Sequence, residues 1–451
     1  MKIVIVGDGK VGSTLMRQLA KEGHDIVIID NKPEVLEQAL NSYDVMTIEG
    51  NGAVYEVQKQ AGVDKADLLV AATSSDELNM ISCMVGKKMG VKYAVSRVRN
   101  PEYSEQLFLM RDELGIDMVI NPEYTASQEI SRILRFPTAL KVETFTRGKA
   151  ELVEIKIYNG SKLDGQSLST LSHKYQVKIL VCAVQREGKV IIPTGDFVLQ
   201  SGDKVSITGK AGEILQFFKR AGILMDKIRT VMIVGGSRIG YYLSKTLIDS
   251  GMEVQILDID KDKCLSLSEM LPKATVIHGD GTNHGLLLEM GIEETDAFVS
   301  LTNIDEENII LSMFALKKQV QKVITKVNKL SFVKLLEEEL ADGVISPKYL
   351  AANQIVSYVR GLENSMGCNV QTLHRIIDGQ VEVLEFAIRT QESFIGIPLK
   401  DLKIKENILI ACILRGNKTI VPGGNDCIQA GDNVIVVTTI PYLHDFAKIM
   451  K

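Results

Sequence analysis

The sequence predicts an α/β protein built from two tandem Rossmann-like modules, each a doubly wound parallel sheet, each followed by a small α+β C-terminal module. Three observations carry this. "KIVIVGDGKVGSTLMRQLAKEGHDIVIIDNKPE" (2–34) overlies "TVMIVGGSRIGYYLSKTLIDSGMEVQILDIDKD" (230–262) without a gap, at an offset of 228. Each copy opens with a β-branched run, a glycine turn and a helical period, the signature of a strand–helix–strand unit. A second, turn-rich pair, 181–209 and 410–438, repeats at an offset of 229. Self-similarity over such a period marks a duplicated architecture.

"KIVIV" is a short apolar run bounded by glycine, as expected of a strand buried on both faces. Val11, Leu15 and Leu19 then recur at helical spacing, and Gly23 stands where that helix stops. "DIVIID" is the second strand. "DVMTI", "DLLVAAT", "YAVSRV" and "MVIN" supply four more, and their counterparts follow in the second half. "TIEGNGAVYEVQKQAGVDKADLLVAATSSDELN" (47–79) pairs with "VIHGDGTNHGLLLEMGIEETDAFVSLTNIDEEN" (276–308), and both end on Thr, Asp and Asn at equal spacings.

The smaller segments change character. "ELVEIKI", "KILVCAVQ", "KVIIP" and "DKVSITG" read as strands, with "PTGDFVLQSGD" a turn-rich link and "KAGEILQFFKRAG" (210–222) a closing helix. Pro193 meets Pro422, and Gly202-Asp203 meets Gly431-Asp432. The expected modules are 1–137, 138–224, 228–364 and 365–451. The junction near 223–229 lacks proline and is not read as a loose tether.

Composition narrows the function. Hydrophobic residues at 45% and charged residues at 24% suit an ordinary globular chain. A net charge of −5, without any Lys/Arg-rich run, argues against nucleic acid, whose phosphates call for a basic patch. No stretch approaches the roughly 18 apolar residues of a spanning helix, and no leader pattern appears, so a cytosolic chain without membrane insertion is expected. Cys83, Cys182, Cys264, Cys368, Cys412 and Cys427 are scattered, without a CxxC pair, and read as reduced, buried residues.

The glycine loops carry the chemistry. In "GDGKVG", Gly7 permits the tight turn, Gly9 lets backbone approach a phosphate, and Gly12 lets the helix pack near the sheet. Asp8, Lys10 and Val11 complete the loop, and the helix start offers N–H groups to a pyrophosphate. Asp30 follows at the distance where an acid accepts ribose hydroxyls. It favours a free 2′-hydroxyl over the 2′-phosphate of NADP. The second loop, Gly235, Gly236, Ser237, Arg238, Ile239 and Gly240, has serine in the middle position. Its hydroxyl suits a phosphate, its Cβ crowds a dinucleotide, and Asp258 is retained. Asn51 and Asp280 flank an expected adenine position. Thr73-Ser74 and Thr302-Asn303 follow the fourth strands, at the carboxyl edge where such sheets bind ligands. Arg97 and its counterpart Lys326 are candidate phosphate cations.

A dehydrogenase needs an acid/base group poised beside the nicotinamide. His24, His173, His278, His284, His374 and His444 do not repeat between halves. His24, in a helix–strand turn, and His444, in the last helix, are expected to be exposed; His278 and His284 flank a loop near the nucleotide. No GxxxxGK[ST] loop, HExxH motif or paired-cysteine metal signature occurs, and "LEEEL" (336–340) reads as a solvated helix face. No catalytic or metal set is assigned. An NAD-dependent oxidoreductase with a duplicated dinucleotide-binding domain stays open as the alternative, and an interaction scaffold with relic sites as a third.

These residues match a known family. The chain resembles, over nearly its full length, the TrkA family of regulatory subunits of Trk-type potassium uptake systems. The resemblance rests on "IVGDGKVG…D", "EGNGA", "AATSSDELNM", "SRVRNPEY" and "INPE", and on "VGGSRIG…D", "HGDGTN", "SLTNIDEENI", "TKVNK" and "SPKYLAA" in the second half. It implies tandem domains that regulate K⁺ conductance (RCK domains), and four chains forming a gating ring beneath a TrkH-type membrane channel. The chain would then sit at the inner face of the cell membrane through that partner. It further implies NAD(H), ATP or ADP bound without turnover, with gating through differential affinity for two ring states. Carried onto this chain, Gly7, Gly9, Gly12, Asp30, Thr73 and Arg97 form the first site. Gly235, Gly236, Ser237, Arg238, Gly240, Asp258, Thr302 and Lys326 form the second. The intact first loop points to NAD(H), and the altered second loop to ATP or ADP.

Overall fold

A computed structural model describes residues 1–451 except 104–110, 146–149, 330–331, 333–342, 366–369, 378–379, 389–391, 417, 441–442 and 444. Strands β1 (Lys2–Val6), β2 (Asp25–Asp30), β3 (Met46–Glu49), β4 (Leu68–Ala71), β5 (Tyr93–Arg97) and β6 (Met118–Ile120) form a six-stranded sheet in the order β3-β2-β1-β4-β5-β6. Every pairing in it is parallel. The order reverses between β2-β1 and β1-β4. That switch leaves a crevice at the carboxyl ends of the strands, where open α/β sheets bind ligands. Ile3, Val4, Ile5 and Val6 are all buried, as a central strand covered on both faces requires.

The small module holds β7 (Lys141–Phe145), β8 (Ala150–Lys156), β9 (Ile179–Arg186), β10 (Lys189–Ile191) and β11 (Lys204–Gly209), antiparallel in the order β10-β9-β11-β8-β7. The helix Ala211–Ala221 closes it, burying Ile214, Phe217 and Phe218. In the second half β12 (Thr230–Val234), β13 (Glu253–Asp258), β14 (Thr275–His278), β15 (Ala297–Ser300), β16 (Lys322–Lys326) and β17 (Val344–Ile345) repeat the parallel sheet as β14-β13-β12-β15-β16-β17. The last sheet comprises β18 (Val370–Ile376), β19 (Val381–Ala387), β20 (Ile408–Arg415), β21 (Lys418–Ile420) and β22 (Asn433–Thr438), again antiparallel.

The four modules gather into two compact units. One holds 1–131, 229–340 and 344–358, and so contains both parallel sheets; the other holds 132–228, 341–343 and 359–451. Within the first unit the two modules dock reciprocally. From the helix Pro122–Arg135, Gln128 Nε2 donates to Thr246 Oγ1 (3.3 Å) and Tyr124 meets Tyr242 edge-to-face at 5.4 Å. From the equivalent helix Pro347–Ser365, Asn353 Oδ1 accepts from Gln18 Nε2 at 2.9 Å. No described helix is long and apolar enough to cross a membrane.

Within the second unit, Leu152, Cys182 and Ala183 of one small module share a hydrophobic cluster with Ala411, Cys412 and Val437 of the other. The repeated Gly-Asp turn has a packing cause. Asp203, fully buried, takes a bidentate pair from Arg186 Nε and Nη2 at 2.7 Å each, and Asp432 takes the same pair from Arg415 at 2.9 Å. Arg360 and Glu382 form a further pair at 3.0 Å, each less than a tenth exposed. Removing one member takes away a charged hydrogen bond from the other. Glu382→Ala is therefore expected to cost about 1.5–3 kcal/mol, read as a lower urea midpoint at pH 7.

Candidate nucleotide-binding site

Each glycine loop is built by the strand it leaves and the acid that follows. Gly7 turns at φ +93° directly beneath Thr73, whose Cα would lie 2.9 Å from any Cβ added there. Gly235 turns at +109° beneath Leu301 and Thr302 in the same way. A Cβ on Gly12 would fall inside the van der Waals shell of the Gly7 carbonyl oxygen. All three positions require glycine because backbone atoms occupy the space of a Cβ. A Cβ on Gly9 would meet nothing within 4 Å, so the space above that residue is open.

The acids hold the loops. Asp30 Oδ2 accepts the Asp8 N–H at 2.8 Å and Oδ1 accepts that of Lys32 at 3.0 Å. Asp258 repeats this, accepting from Gly236 N at 2.6 Å and Asp260 N at 2.8 Å. Each carboxylate thus braces the turn and keeps lone pairs at the edge of the crevice.

In the second module Gly235, Ser237, Asp258, Asp280, Thr302 and Asn303 line one cleft of 340 Å³. The Ser237 hydroxyl is buried there without a hydrogen-bond partner among the described residues. It stands at the start of the helix Arg238–Asp249 yet caps no backbone N–H. Gly236, Arg238, Ile239, Gly240 and Lys326 do not line that cleft. Gly236 is walled off by Leu267, and Ile239 and Gly240 are buried in the helix. Lys263, which the sequence reading missed, lines the cleft 3.9 Å from Asp258 Oδ1.

In the first module Thr73 is held by Asn79, the last residue of the repeated Thr, Asp and Asn spacing. Asn79 Oδ1 accepts from Thr73 N (2.8 Å) and Oγ1 (2.7 Å), while Asn79 Nδ2 donates to Arg97 O at 2.9 Å. Asn308 makes the equivalent bonds to Thr302 N and Lys326 O. Asp76 accepts the N–H groups of Arg99 and Asn100, and Asp305 those of Asn328 and Lys329. The repeated T-x-x-D-x-x-N spacing was the available signal. It ties the ends of β4 and β5, and of β15 and β16, into one rigid edge. Ser74 contributes its carbonyl, which accepts from Arg99 Nη2 at 3.0 Å. Asn51 turns back on its own loop, accepting from Ala53 N.

The cations are distributed differently from the reading by halves. Arg97 Nη1 donates to Thr73 O (3.2 Å), and its Nη2 lies 4.0 Å from Glu123 Oε1. Burial and the neighbouring Arg99 lower its pKa; Glu123 and Asp76 oppose this, and Arg238 of the other module lowers it further. Lys326, 6% exposed, donates to Leu301 O at 3.3 Å. Burial lowers its pKa to about 8; Asp305 opposes this, and Lys10 of the other module reinforces it. Each loop cation is a minor influence on a buried cation of the other module. Lys10 bears on Lys326, and Arg238 on Arg97.

Asp8 is the outlier. It is 8% exposed, its side chain has no hydrogen bond or ion pair among the described residues, and Oδ1 is fully enclosed. Burial, then the charge of Asp30, raises its pKa to about 6. His24 departs from expectation. It is buried, with Nδ1 3.4 Å from the Met1 nitrogen, because the turn folds its ring under the start of β1. His278 bonds Ile259 O, and His284 stacks on Phe314 at 4.0 Å; neither lines the cleft. Cys83, Cys182, Cys264 and Cys412 are buried thiols and Cys427 is partly exposed. Cys368, His444, "LEEEL" and the His374 side chain lie outside the described residues.

A carboxyl whose folded pKa exceeds its unfolded value stabilises the fold least once ionised. The contribution of Asp8 to stability should thus fall as pH rises from about 4 through 6. Asp8→Asn is expected to raise stability at pH 8 by about 1–2 kcal/mol after solvent screening, with the gain vanishing near pH 4. Thermal melts across that range check it.

Comparison with known proteins places this geometry. The TrkA-N domain model matches residues 3–122 and 231–347, and the TrkA-C domain model matches 152–222 and 383–451. The Trk system potassium uptake protein TrkA homolog 1 of Methanosarcina mazei is 33% identical over 460 residues, covering all of both chains. The Trk system potassium uptake protein TrkA of Halomonas elongata is 33% identical over 97% of this chain and 95% of its own. Among solved structures, the GsuK channel bound to NAD superposes with a TM-score of 0.64 at 17% identity, over 97% of this chain and 76% of that one. The isolated GsuK RCK domain gives 0.64 over 97% and 92%. With two loop-bearing parallel modules, two small antiparallel modules and relatives matched from end to end, the chain belongs to the TrkA family of Trk system potassium uptake proteins.

Proposed function

We propose that this chain is a nucleotide-sensing regulatory subunit that gates a potassium-conducting membrane partner of TrkH type and does not turn its nucleotides over. The carrying observation is the pair of glycine loops, each opening a helix and each braced by an acid, in two modules that dock on one another. A phosphate tail held at one loop adds charge beside the docked modules, so occupancy can bias the module–module arrangement. A ligand shifts such an equilibrium only by its differential affinity for the two states. The NAD-bound GsuK channel shares this fold and supports the ligand class.

On this reading Gly7, Gly9, Gly12 and Asp30 hold NAD(H), because the space above Gly9 is open. Ser237, Asp258, Thr302 and Asn303 hold ATP or ADP, with the unpartnered Ser237 hydroxyl on a phosphate. Arg97 and Arg238, and Lys10 and Lys326, serve as cation pairs shared across the seam. Calorimetric titration with NAD⁺, NADH, ATP and ADP tests it. Asp30→Asn and Asp258→Asn should each weaken one binding event about tenfold or more, since a charged hydrogen bond contributes roughly 1.5–3 kcal/mol. NADH absorbance should stay constant. Absence of saturable binding, or NADH consumption with any small substrate, overturns the reading.

Self-association into a tetrameric ring at the cytoplasmic face belongs to the same proposal. Ile81 (48% exposed) and Met84 (44%) on the helix Asp76–Met89 recur as Ile310 (59%) and Met313 (53%) on the helix Asp305–Lys317. Apolar pairs repeated on equivalent exposed faces fit a contact between copies. Ile310→Glu/Met313→Glu should shift sedimentation to smaller species and leave the thermal midpoint unchanged.

A further inference from the structure

Gly236 and Asp8 occupy equivalent loop positions at the offset of 228, and so do Leu267 and Ala39. A Cβ on Gly236 would lie 2.6 Å from Leu267 Cδ1 and 3.2 Å from Asp258 Oδ2. In the second module, then, leucine occupies the space beside the loop, and a side chain there would have to displace it. In the first module alanine stands at that helix position, and the loop carries a carboxyl group instead. The two modules thus differ at both positions, and only the first loop carries an ionisable group there.

The carboxyl group is poorly provided for. Its Oδ1 is enclosed without a partner. From β2 it faces Asp30, a like charge whose own oxygens are committed to the Asp8 and Lys32 N–H groups. The helix Pro33–Ser42 buries only Leu36 and Ala39. The end of β4 brings Thr73, whose hydroxyl is turned to Asn79. Lys10, two residues along, makes no ion pair among the described residues, and its charge acts on Lys326 of the other module. A buried acid without a donor, set against a second acid, favours its protonated form. A phosphate anion brought to the same loop adds a further like charge and strengthens that preference.

We propose that Asp8 makes the first nucleotide site proton-dependent: an anionic dinucleotide binds there with uptake of a proton by Asp8, while the second site, with Gly236 in that place, binds without one. The inference rests on nucleotide binding at the first loop as read above, and it makes that loop a joint sensor of nucleotide and pH. Linkage gives the direction. If the bound state holds more protons, affinity rises as pH falls.

The test is calorimetric titration of the full chain with NAD⁺ at pH 5.5 and 7.5, in buffers of differing ionisation enthalpy. NAD⁺ is the probe because the terminal phosphate of ADP or ATP itself titrates near pH 6. The wild type should bind about tenfold more tightly at pH 5.5, with proton uptake measurable at intermediate pH. Asp8→Asn should bind at both pH values as the wild type does at pH 5.5, without proton uptake. Asp8→Gly/Ala39→Leu, which imports the second module's packing, should also lose the pH dependence. Saturable binding with a flat wild-type pH profile, or a profile retained by Asp8→Asn, overturns this inference alone. Absence of NAD⁺ binding at either pH removes both it and the reading beneath it.

Discussion

The architecture depends on one close approach. The helix after β1 can begin beside the sheet only because Gly12 has no side chain against the Gly7 carbonyl, and the second half satisfies the same need with Gly240 and Gly235. That contact puts the helix N-terminus over the switch point of the strand order. The acid at the end of the next strand then accepts a loop N–H and locks the turn open. Strand order, loop and acid are thus one mechanical unit. A helix start aimed at a crevice is a ready site for an anion, because its first N–H groups lack partners.

The two halves have diverged by compensation rather than decay. Where the second loop loses its middle glycine it gains a buried hydroxyl without a partner. Where it gains glycine at position 236, Leu267 fills the space. Glu123, which tempers Arg97 and Arg99, is matched in the second half by Lys348, reversing the charge at one end of the seam. The cations that burial and mutual repulsion disfavour lie where the two modules meet. Glu123, Asp76 and Asp305 partly balance them.

Much of this was legible in the residues. The parallel sheets follow from β-branched runs alternating with helical periods, and the glycine loops and acids announce themselves by spacing. Other repeated motifs make contacts that brace the fold. Gly202-Asp203 and Gly431-Asp432 anchor buried arginines, and Thr73 with Asp76 and Asn79 ties two strand ends together. A repeat shows that a position matters, and only its contacts say whether it holds backbone or faces a crevice. His24 was misread because turns are usually solvated; nothing local announces that this one tucks under the first strand.

The sequence by itself determined the duplication, the order of the modules, the sheet type and the identity of the loop residues, because these rest on local periodicity and on glycine's lack of a side chain. Tertiary structure alone decided which residues meet. It set Lys10 against Lys326 and Arg238 against Arg97, enclosed Asp8 without a partner, and left the Ser237 hydroxyl unpaired. Charge repulsion and burial act through space between residues far apart along the chain, so their consequences are fixed only when the two modules dock.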